Sequence, residues 1–490
     1  MDKSNLFISY SWLNTDIADE IDNKFQSIGI TFMRDVRDVG DFQSLSDFMK
    51  KIRNNDYVIM IISNSYLKSV NCMFEVLEFM KEKSFKNRIL PIIDKDEIDI
   101  FSTEGKIFYI DYWQNEFEYL KNKISKLEPM NATKLLEKLK FVERICREIE
   151  EFLFILSDMK LKTIEELKQM DYKPILKLIG YEKNASVSEL LTVSMINDVE
   201  ERNLEEEKYK TKYGETSMFY HYKGYRANED KNHKLARYYY EKALGINPQY
   251  VISHNNLAAL LTQGSFNDYE GARKHYEKAL EINPNYSEAH NNFALLLKTD
   301  NYKDYEGARK HYEDALEINP NYAKAHNNLA GLLIEHFKDY ENARMHIEKS
   351  LDIDPNNIEA HFNYAILLET KHYNDYEGAR KHYEKTLDIN PQCAIAYNNL
   401  ACLLSEHFND YKGARKYFEK ALNINPNFAE AHYNFARLLT TKYYKDYEGA
   451  RKHFEVAVDI NPQYANTQYN LGIVKIVKFK GNKKDLFINK

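Results

Sequence analysis

A proline that recurs at nearly constant spacing constrains this chain more than any other feature of its sequence. Seven of the ten prolines follow one another in steps of 36, 36, 35, 36, 35 and 36 residues: Pro248, Pro284, Pro320, Pro355, Pro391, Pro426 and Pro462. A fixed period of this length indicates a repeat array, in which each unit buries its apolar face only against its neighbours. The length of 490 residues is enough for about three domains, so a single compact enzyme core is excluded.

Each unit has the pattern of a helical hairpin. In residues 286–320, a helix of apolar and small residues precedes a polar turn and a second, amphipathic helix that ends at Asn-Pro. Asp304 occupies the N-cap position of the second helix, where a carboxylate accepts hydrogen bonds from free backbone N–H groups. Pro320 stops that helix. The equivalent N-cap residues are Asp268, Asp339, Asp375, Asp410 and Asp446.

The unit resembles the tetratricopeptide (TPR) repeat at its small, asparagine, aromatic and proline positions. These positions are Ala289, Asn292, Phe293 and Ala294 in the first helix and Ala308, Tyr312, Ala315 and Pro320 in the second. The resemblance implies an α-solenoid of TPR hairpins over residues 215–478, with seven hairpins and a C-terminal capping helix at 464–477, followed by a tail at 479–490. Stacked hairpins of this kind form a concave surface.

An asparagine recurs in the first helix of the hairpins. Its positions are Asn256, Asn292, Asn328, Asn363, Asn399, Asn434 and Asn470. Asn is a mediocre helix former, so a compensating role is expected. Resemblance to peptide-binding TPR arrays implies that these amides, which both donate and accept hydrogen bonds, grip an extended protein or peptide ligand on the concave face. The alternative is that they satisfy contacts between helices within the solenoid.

Histidine also recurs with the period of the array. Ten of the fifteen histidines occupy two repeat positions: His254, His290, His326, His361 and His432 in first helices, and His275, His311, His346, His382 and His453 in second helices. This repetition indicates a packing or surface ladder along the array rather than a metal site.

The first quarter of the chain alternates short apolar runs with amphipathic stretches. The predicted strands are 6–10, 30–33, 57–62, 89–93 and 107–110, and the predicted helices include 17–28 and 42–52. Strands that alternate with helices predict a buried parallel sheet. In such folds, ligands bind at the carboxyl ends of the strands.

Residues 1–125 resemble the TIR (Toll/interleukin-1 receptor) family through an ordered set of motifs. Residues 7–11 resemble its box-1 strand, and Arg34-Asp35 followed by Gly40 resembles its BB-loop region. Residues 61–69, leading to Cys72 and Glu75, match the bacterial pattern of strand, Ser, Tyr, Ser and C-x-x-E. The resemblance implies an α/β flavodoxin-like domain with a parallel sheet. The chain departs from the family in lacking the BB-loop proline and in carrying Asn71 where many relatives have Trp.

The resemblance also implies a chemistry for Glu75, which corresponds to the glutamate with which enzymatic TIR domains cleave NAD+ between nicotinamide and ribose. Nicotinamide leaves as a neutral amine, so the second carboxyl group that glycosidases use to protonate a leaving group is not needed. One ionised carboxylate can stabilise the oxocarbenium charge of the transition state. The alternative is that Glu75 is a solvated acid on a helix that also bears Glu78 and Glu82.

By the same resemblance, box 1, the BB loop and the C-x-x-E cysteine line the site for NAD+, which is a substrate, so no cofactor is implied. These residues are Ser9, Tyr10, Ser11, Arg34, Asp35, Gly40 and Cys72. Their alternative roles are a strand cap for box 1, a loop turn for the BB-loop residues and core packing for Cys72. Trp113 could stack on a base, but core packing is the favoured role.

Residues 130–212 are helical in pattern and form a predicted connector. Leu135, Leu136, Leu139, Val142, Ile145, Ile149, Phe152, Leu153 and Leu156 share one apolar stripe. The stripe fits a bundle-like connector or a dimerisation element. Pro174 is expected to break a second helix that begins near Thr163.

Composition restricts the partners and the location of the chain. A net charge of −7 disfavours nucleic acid, because a phosphate backbone must be met by clustered Lys and Arg. The apolar run at 57–62 is too short to cross a membrane, and the first residues lack a secretory pattern, so a cytoplasmic location is expected. The four cysteines are too scattered for disulfides or a zinc site, so free thiols are expected.

Together the TIR and TPR resemblances imply an NAD+ hydrolase of the TIR type, regulated by TPR-mediated sensing and by self-association through TIR domains, and by analogy a role in antiviral defence. One alternative is a non-enzymatic TIR/TPR adaptor that docks other TIR domains. Another is a TIR enzyme that makes a cyclic ADP-ribose-type messenger.

Overall fold

The computed structural model describes residues 6–36, 57–81, 85–93, 98–126, 133–159, 161–181 and 184–461. The chain divides into two compact units. The first unit consists of Met1–Leu332 and Asp352–Asp354, and the second consists of Leu333–Leu351 and Pro355–Lys490. The predicted helix 42–52, the capping helix 464–477 and the tail 479–490 lie outside the described residues. Within the described part, no helix has both the length and the apolar character needed to cross a bilayer.

The amino-terminal domain is built on a parallel sheet. Its strands are β1 (Leu6–Tyr10), β2 (Met33–Val36), β3 (Tyr57–Ile62), β4 (Ile89–Ile93) and β5 (Lys162–Thr163). Their order in the sheet is β2-β1-β3-β4-β5, and every pair is parallel. This is the flavodoxin-like order, which confirms the predicted fold class.

The helices around the sheet precede or follow its strands. They are α1 (Thr15–Ser27), α2 (Asn64–Lys68), α3 (Val70–Phe79), α4 (Thr103–Ile124), α5 (Thr133–Asp158), α6 (Ile164–Gln169), α7 (Lys173–Leu178), α8 (Ala185–Ser194) and α9 (Val199–Tyr213).

Two sequence expectations about these elements are wrong. The run at 107–110, predicted as a strand, lies inside α4, which begins after the N-cap Ser102 and buries Tyr109, Trp113 and Leu120 at helical spacing. Pro174 does not break a helix but stands in the first turn of α7, where its missing N–H removes no hydrogen bond.

Most of the apolar stripe of the connector is buried within the chain, whereas Leu136 is 41% exposed. Val142, Ile145 and Ile149 on α5 are fully buried in one cluster with Trp113 of α4 and Met73 of α3. The connector therefore covers one side of the amino-terminal domain, which accounts for the hydrophobic stripe without a second copy of the chain.

Within the described residues, seven helix pairs follow the connector. The first to seventh hairpins are α10 (Ser217–Glu229) with α11 (His233–Ile246), α12 (Val251–Leu261) with α13 (Tyr269–Ile282), α14 (Ser287–Lys298) with α15 (Tyr305–Ile318), α16 (Ala323–Leu332) with α17 (Tyr340–Ile353), α18 (Ile358–Glu369) with α19 (Tyr376–Ile389), α20 (Ala394–Glu406) with α21 (Tyr411–Ile424), and α22 (Ala429–Thr440) with α23 (Tyr447–Ile460).

The turn chemistry of the hairpins agrees with the sequence prediction. Asp304 accepts a hydrogen bond from the N–H of Gly307 at 2.9 Å, and it is preceded by Lys303 in the left-handed region at φ 51°. The same N-cap bond is made by Asp268, Asp339, Asp375, Asp410 and Asp446.

Candidate functional site

The carboxyl ends of the parallel strands share one edge of the sheet. Tyr10 at the end of β1 is in register with Val36 at the end of β2 and with Ile61 of β3, and Ile62 is in register with Ile93 of β4. This is the edge where ligands bind in doubly wound α/β folds.

The three box-1 residues are buried where β1 ends. Ser9 is hydrogen-bonded through Oγ to the hydroxyl of Tyr66 at 3.0 Å, and Tyr10 packs in the core. Ser11, the first residue beyond β1, is 0% exposed, and its Oγ has no hydrogen-bond partner within the described residues. A buried hydroxyl without a partner is uncommon and calls for a ligand or an ordered water.

The neighbouring strand β3 ends in a polar turn. Ser63 donates through Oγ to Asn14 Oδ1 at 2.6 Å and accepts from the N–H of Tyr66 at 3.2 Å, so it caps α2. The adjacent Asn64 has a buried Oδ1 that lacks a partner among the described residues. Two unpartnered polar atoms thus follow the ends of adjacent strands. Sequence reasoning missed Asn14 and Asn64, although the Ser-Asn-Ser run directly after a strand signals a polar turn there.

The helix that carries Glu75 packs against the end of β1. Cys72 in the first turn of α3 is 1% exposed, and its thiol lies 3.9 Å from the carbonyl oxygen of Tyr10. Glu75 follows one helical turn later in α3; the structure describes its backbone but not its side chain. Of the predicted site residues, Ser9, Tyr10, Ser11 and Cys72 are therefore brought together at this edge.

The BB-loop residues are described only in part. Arg34 and Asp35 lie in β2, in register with Ile8 and Ser9 of β1, and their side chains are outside the description. Gly40 lies outside the described residues altogether.

Trp113 and the cysteines have structural surroundings. The indole N–H of Trp113 donates to the carbonyl oxygen of Leu67 at 3.0 Å, and the side chain is 0% exposed, which confirms core packing rather than base stacking. None of the four cysteines, Cys72, Cys146, Cys393 and Cys402, takes part in a disulfide in the described structure.

Three of the repeated asparagines donate a hydrogen bond to an asparagine of the preceding hairpin. Asn292 Nδ2 donates to Asn255 Oδ1 at 3.2 Å, and Asn328 Nδ2 donates to Asn291 Oδ1 at 2.9 Å. The same bond joins Asn434 to Asn398 at 3.2 Å. In these three residues the amide NH₂ group is used for contacts between hairpins. The bonds therefore favour the alternative that the asparagines satisfy contacts within the solenoid. Asn256, Asn363 and Asn399 are half-buried like them, and Asn470 lies outside the described residues.

The repeated histidines form pairs within hairpins. The Nδ1 atom of His254 lies 2.8 Å from the Nδ1 atom of His275. The pairs His290–His311, His361–His382 and His432–His453 are joined in the same way. His254 Nε2 donates to the carbonyl oxygen of Pro248 at 3.1 Å, so its Nδ1 accepts a hydrogen bond from the Nδ1–H of His275. Burial lowers the pKa of His275, with a smaller effect from His254, to about 4. The rings of these pairs therefore contact one another at a repeated position along the array.

The amino-terminal domain shares its core with the first hairpins. His221 of α10 is fully buried and donates through Nε2 to the carbonyl oxygen of Gln26 at 3.2 Å, while its Nδ1 is 2.8 Å from Ser253 Oγ. The hydroxyl of Tyr250, just before α12, donates to the carbonyl oxygen of Ile28 at 3.3 Å. The end of α1 is thus bonded to the first and second hairpins.

The middle of α1 lies beside tyrosines at the first helices of the hairpins. Burial, then the charges of Glu229 and Asp22, raise the pKa of Tyr225 to about 12. Asp22 also contributes, after burial and Glu288, to raising the pKa of Tyr322. The negative charge of Asp22 on α1 therefore acts on Tyr225 and Tyr322.

Comparisons with known proteins agree with this architecture. The family model described as TIR domain matches residues 6–127. Models described as TPR repeat match 266–300 and 303–333, and models described as tetratricopeptide repeat match 346–381, 323–357 and 394–428. The chain therefore combines a doubly wound α/β domain with a helical repeat array. It is a TIR domain followed by tetratricopeptide repeats.

The chain is also similar to solved structures of repeat proteins. A structure titled for the functional characterisation of Pseudomonas aeruginosa pilF has 22% identity and a TM-score of 0.39, covering 45% of this chain and 96% of its own. A tetratricopeptide repeat protein from Parabacteroides merdae has 19% identity and a TM-score of 0.42, covering 53% and 98%. YrrB, titled a TPR protein with an unusual peptide-binding site, has 22% identity and a TM-score of 0.31, covering 40% and 96%. No curated protein matches this chain.

Proposed function

We propose that this protein cleaves NAD+ between nicotinamide and ribose, with the substrate at the carboxyl edge of the TIR sheet and Glu75 as the catalytic carboxylate. One observation carries the proposal: Ser11 Oγ and Asn64 Oδ1 are buried without partners in the described structure at the ends of adjacent strands. The hydroxyls of a ribose can donate and accept hydrogen bonds, so they suit both atoms.

The position of α3 supports Glu75 as the catalytic group. Cys72 fixes the first turn of α3 against the end of β1, and Glu75 stands one turn further along the same helix. A carboxylate beside the ribose favours the transition state over the ground state, because positive charge develops on the sugar only as nicotinamide leaves. Nicotinamide leaves as a neutral amine, so no general acid is required at this site.

The test compares two glutamates on α3. Glu75→Gln removes the charge and keeps the shape, and we expect it to lower the rate of NAD+ cleavage by about 10²- to 10³-fold, the usual cost of one electrostatic stabiliser. Glu78→Gln on the same helix is the matched control and is expected to keep wild-type activity. NAD+ loss and nicotinamide release are followed with purified full-length chain at increasing concentration, with a crowding agent to promote assembly.

The outcomes of this test separate the proposal from its alternatives. Cleavage that persists in Glu75→Gln would reject the site. No cleavage by the wild type at any concentration would favour the adaptor, whose TIR domain only docks other TIR domains; Asn71 in the position of a family Trp favours this candidate. Mass spectrometry of the product distinguishes ADP-ribose from a cyclic messenger.

We further propose that the repeats regulate the TIR domain. The bonds from His221 and Tyr250 to the end of α1 support a restraint that a protein or peptide on the first helices would compete with. Release of α1 would then allow TIR domains to associate and to complete their sites. Such a coupling is reciprocal, so TIR assembly would also raise the affinity of the repeats for their ligand. By analogy with other TIR effectors, antiviral defence by NAD+ depletion is the proposed role.

A further inference from the structure

The third hairpin carries a cluster that its sequence neighbours lack. The difference lies at the position three residues after the second-helix histidine. In the third hairpin, Asp314 occupies this position. The equivalent residues are Lys242, Lys278, Lys349, Lys385, Lys420 and Val456. We propose that His290, His311 and Asp314 bind a divalent transition-metal ion of the Zn²⁺ type, so that α14 and α15 are joined through the metal.

The three groups lie close to the separations that one ion requires, with the two Nδ1 atoms about 0.4 Å too close and the carboxylate oxygen a few tenths of an ångström too far, so small side-chain movements would bring them into place. The two Nδ1 atoms are 2.9 Å apart, and Asp314 Oδ2 lies 3.7 Å from Nδ1 of His290 and 3.9 Å from Nδ1 of His311. Zn–N and Zn–O bonds of about 2.0–2.2 Å in a tetrahedron separate ligand atoms by about 3.3–3.5 Å. Within the described parts of the chain, this is the one group of three His, Cys, Asp or Glu side chains with ligand atoms all within 4.8 Å of one another.

One ligand is already oriented as metal-binding histidines are. His290 Nε2 donates to the carbonyl oxygen of Pro284 at 3.0 Å, which fixes the proton on Nε2 and makes Nδ1 the acceptor of the hydrogen bond from His311. An outer hydrogen bond of this kind holds the ring and its tautomer in many metal sites. His311 would carry its proton on Nε2 when the metal replaces the bond between the two Nδ1 atoms, so no proton is gained or lost.

Charge distinguishes this hairpin from the second one. His254 and His275 are joined through Nδ1 atoms at 2.8 Å, as in the third hairpin. Lys278 at the position of Asp314 acts on His254 with a positive charge, which opposes a cation, whereas Asp314 supplies an anionic oxygen. Two imidazoles and one carboxylate are a donor set that suits Zn²⁺. The side chains of the cluster are 10%, 22% and 34% exposed, so an ion can reach them from solvent.

Zn²⁺ titration of the metal-free full-length chain tests the inference. Asp314→Lys restores the residue of the neighbouring hairpins, so it is expected to fold, and unfolding curves check this. We expect calorimetry to show one Zn²⁺ equivalent bound to wild type and its affinity to fall by more than about tenfold in Asp314→Lys, since even outer-shell changes commonly cost that much. Co²⁺ in the wild type should give the visible spectrum of a four-coordinate site.

A gain-of-site variant keeps the test decisive. Lys278→Asp in the second hairpin reproduces the donor set of the third and is expected to add a second equivalent. Equal affinity and stoichiometry in wild type and Asp314→Lys would show that histidine pairs alone bind the ion, and would overturn the inference. Absence of binding to wild type would overturn it as well. Neither result bears on NAD+ cleavage, so the inference and the proposed function fail separately.

Discussion

Ser11 shows at the scale of one residue how the fold and the proposed site are linked. Its hydroxyl is buried at the end of the strand next to the centre of the sheet and lacks a partner within the described structure. Burial of a polar group without a hydrogen bond destabilises the folded state by about 1–3 kcal/mol. A bound ligand or an ordered water would satisfy this hydroxyl.

Ser11→Ala separates these two roles. Because no protein hydrogen bond is lost, we expect the free energy of unfolding to change by less than about 0.5 kcal/mol or to rise. If the hydroxyl contacts NAD+, kcat/KM falls by up to about tenfold, the value of one hydrogen bond. Chemical denaturation and NAD+ kinetics measure the two quantities.

Ser63→Ala is the control for this substitution, because Ser63 bonds to Asn14 and caps α2. It is expected to lower the free energy of unfolding by about 1–2 kcal/mol. A Ser11→Ala protein as destabilised as Ser63→Ala would contradict the assignment of Ser11 to ligand binding.

At the scale of elements, the histidine pairs tie the stability of the hairpins to pH. Burial lowers the pKa of His382, with a further contribution from His361, and the pKa is about 4; His453 likewise has a pKa of about 4. In the unfolded chain these rings bind protons near pH 6.5. Between these pH values the unfolded state binds more protons than the folded state. The contribution of these histidines to the free energy of unfolding is therefore fully present above about pH 6.5 and is lost as the pH falls toward 4.

In one hairpin of the array, two tyrosines replace the histidine pair. Tyr397 and Tyr417 occupy the paired positions in the sixth hairpin, and their rings stack at 5.7 Å. We expect the double variant His361→Tyr with His382→Tyr to reduce the loss of stability between pH 6.5 and 4, because two tyrosines bind no proton in that range. Urea unfolding at several pH values measures it; an unchanged pH slope would mean that the acid sensitivity arises elsewhere.

At the scale of the whole molecule, the TIR domain is built into the repeat protein rather than attached by a free linker. Ile21 and Phe25 of α1, Leu190 of α8 and Tyr222 of α10 belong to one buried cluster. Gly29 marks the closest approach: its φ is 81°, and a Cβ there would lie 1.9 Å from the Tyr250 hydroxyl oxygen. The first hairpins therefore hold the end of α1 directly.

Gly29→Ala should loosen this contact. Left-handed φ costs an alanine about 1–2 kcal/mol, and the collision with Tyr250 adds to it. Gly214→Ala is the matched control, because Gly214 has φ 76° and no described atom within 4 Å of its Cβ position. We expect Gly29→Ala to lose more stability than Gly214→Ala, with faster hydrogen exchange in α1. Under the proposed regulation, basal NAD+ cleavage also rises; equal exchange in the two variants would contradict the contact.

Local patterns predicted most elements and failed where a short apolar run was ambiguous. The strands 6–10, 57–62 and 89–93 were predicted with their observed bounds, and β2 lies three residues beyond the predicted 30–33. Residues 107–110 are apolar enough for a strand, but Ser102 caps a helix that continues for 22 residues. A run of four residues cannot reveal its period. The two-residue β5, contributed by residues assigned to the connector, is too short to have any pattern.

The sequence by itself determined the hairpin array, the parallel sheet and the TIR and TPR resemblances, because period, capping residues and motif order are local properties of the chain. Only the tertiary structure decided which polar atoms lack partners at the end of β1 and β3, that the connector stripe covers the TIR domain, and that Asp314 meets two histidines from different helices. These facts depend on residues far apart in the chain coming within a few ångströms of one another. Such distances are set by packing, which no local pattern records.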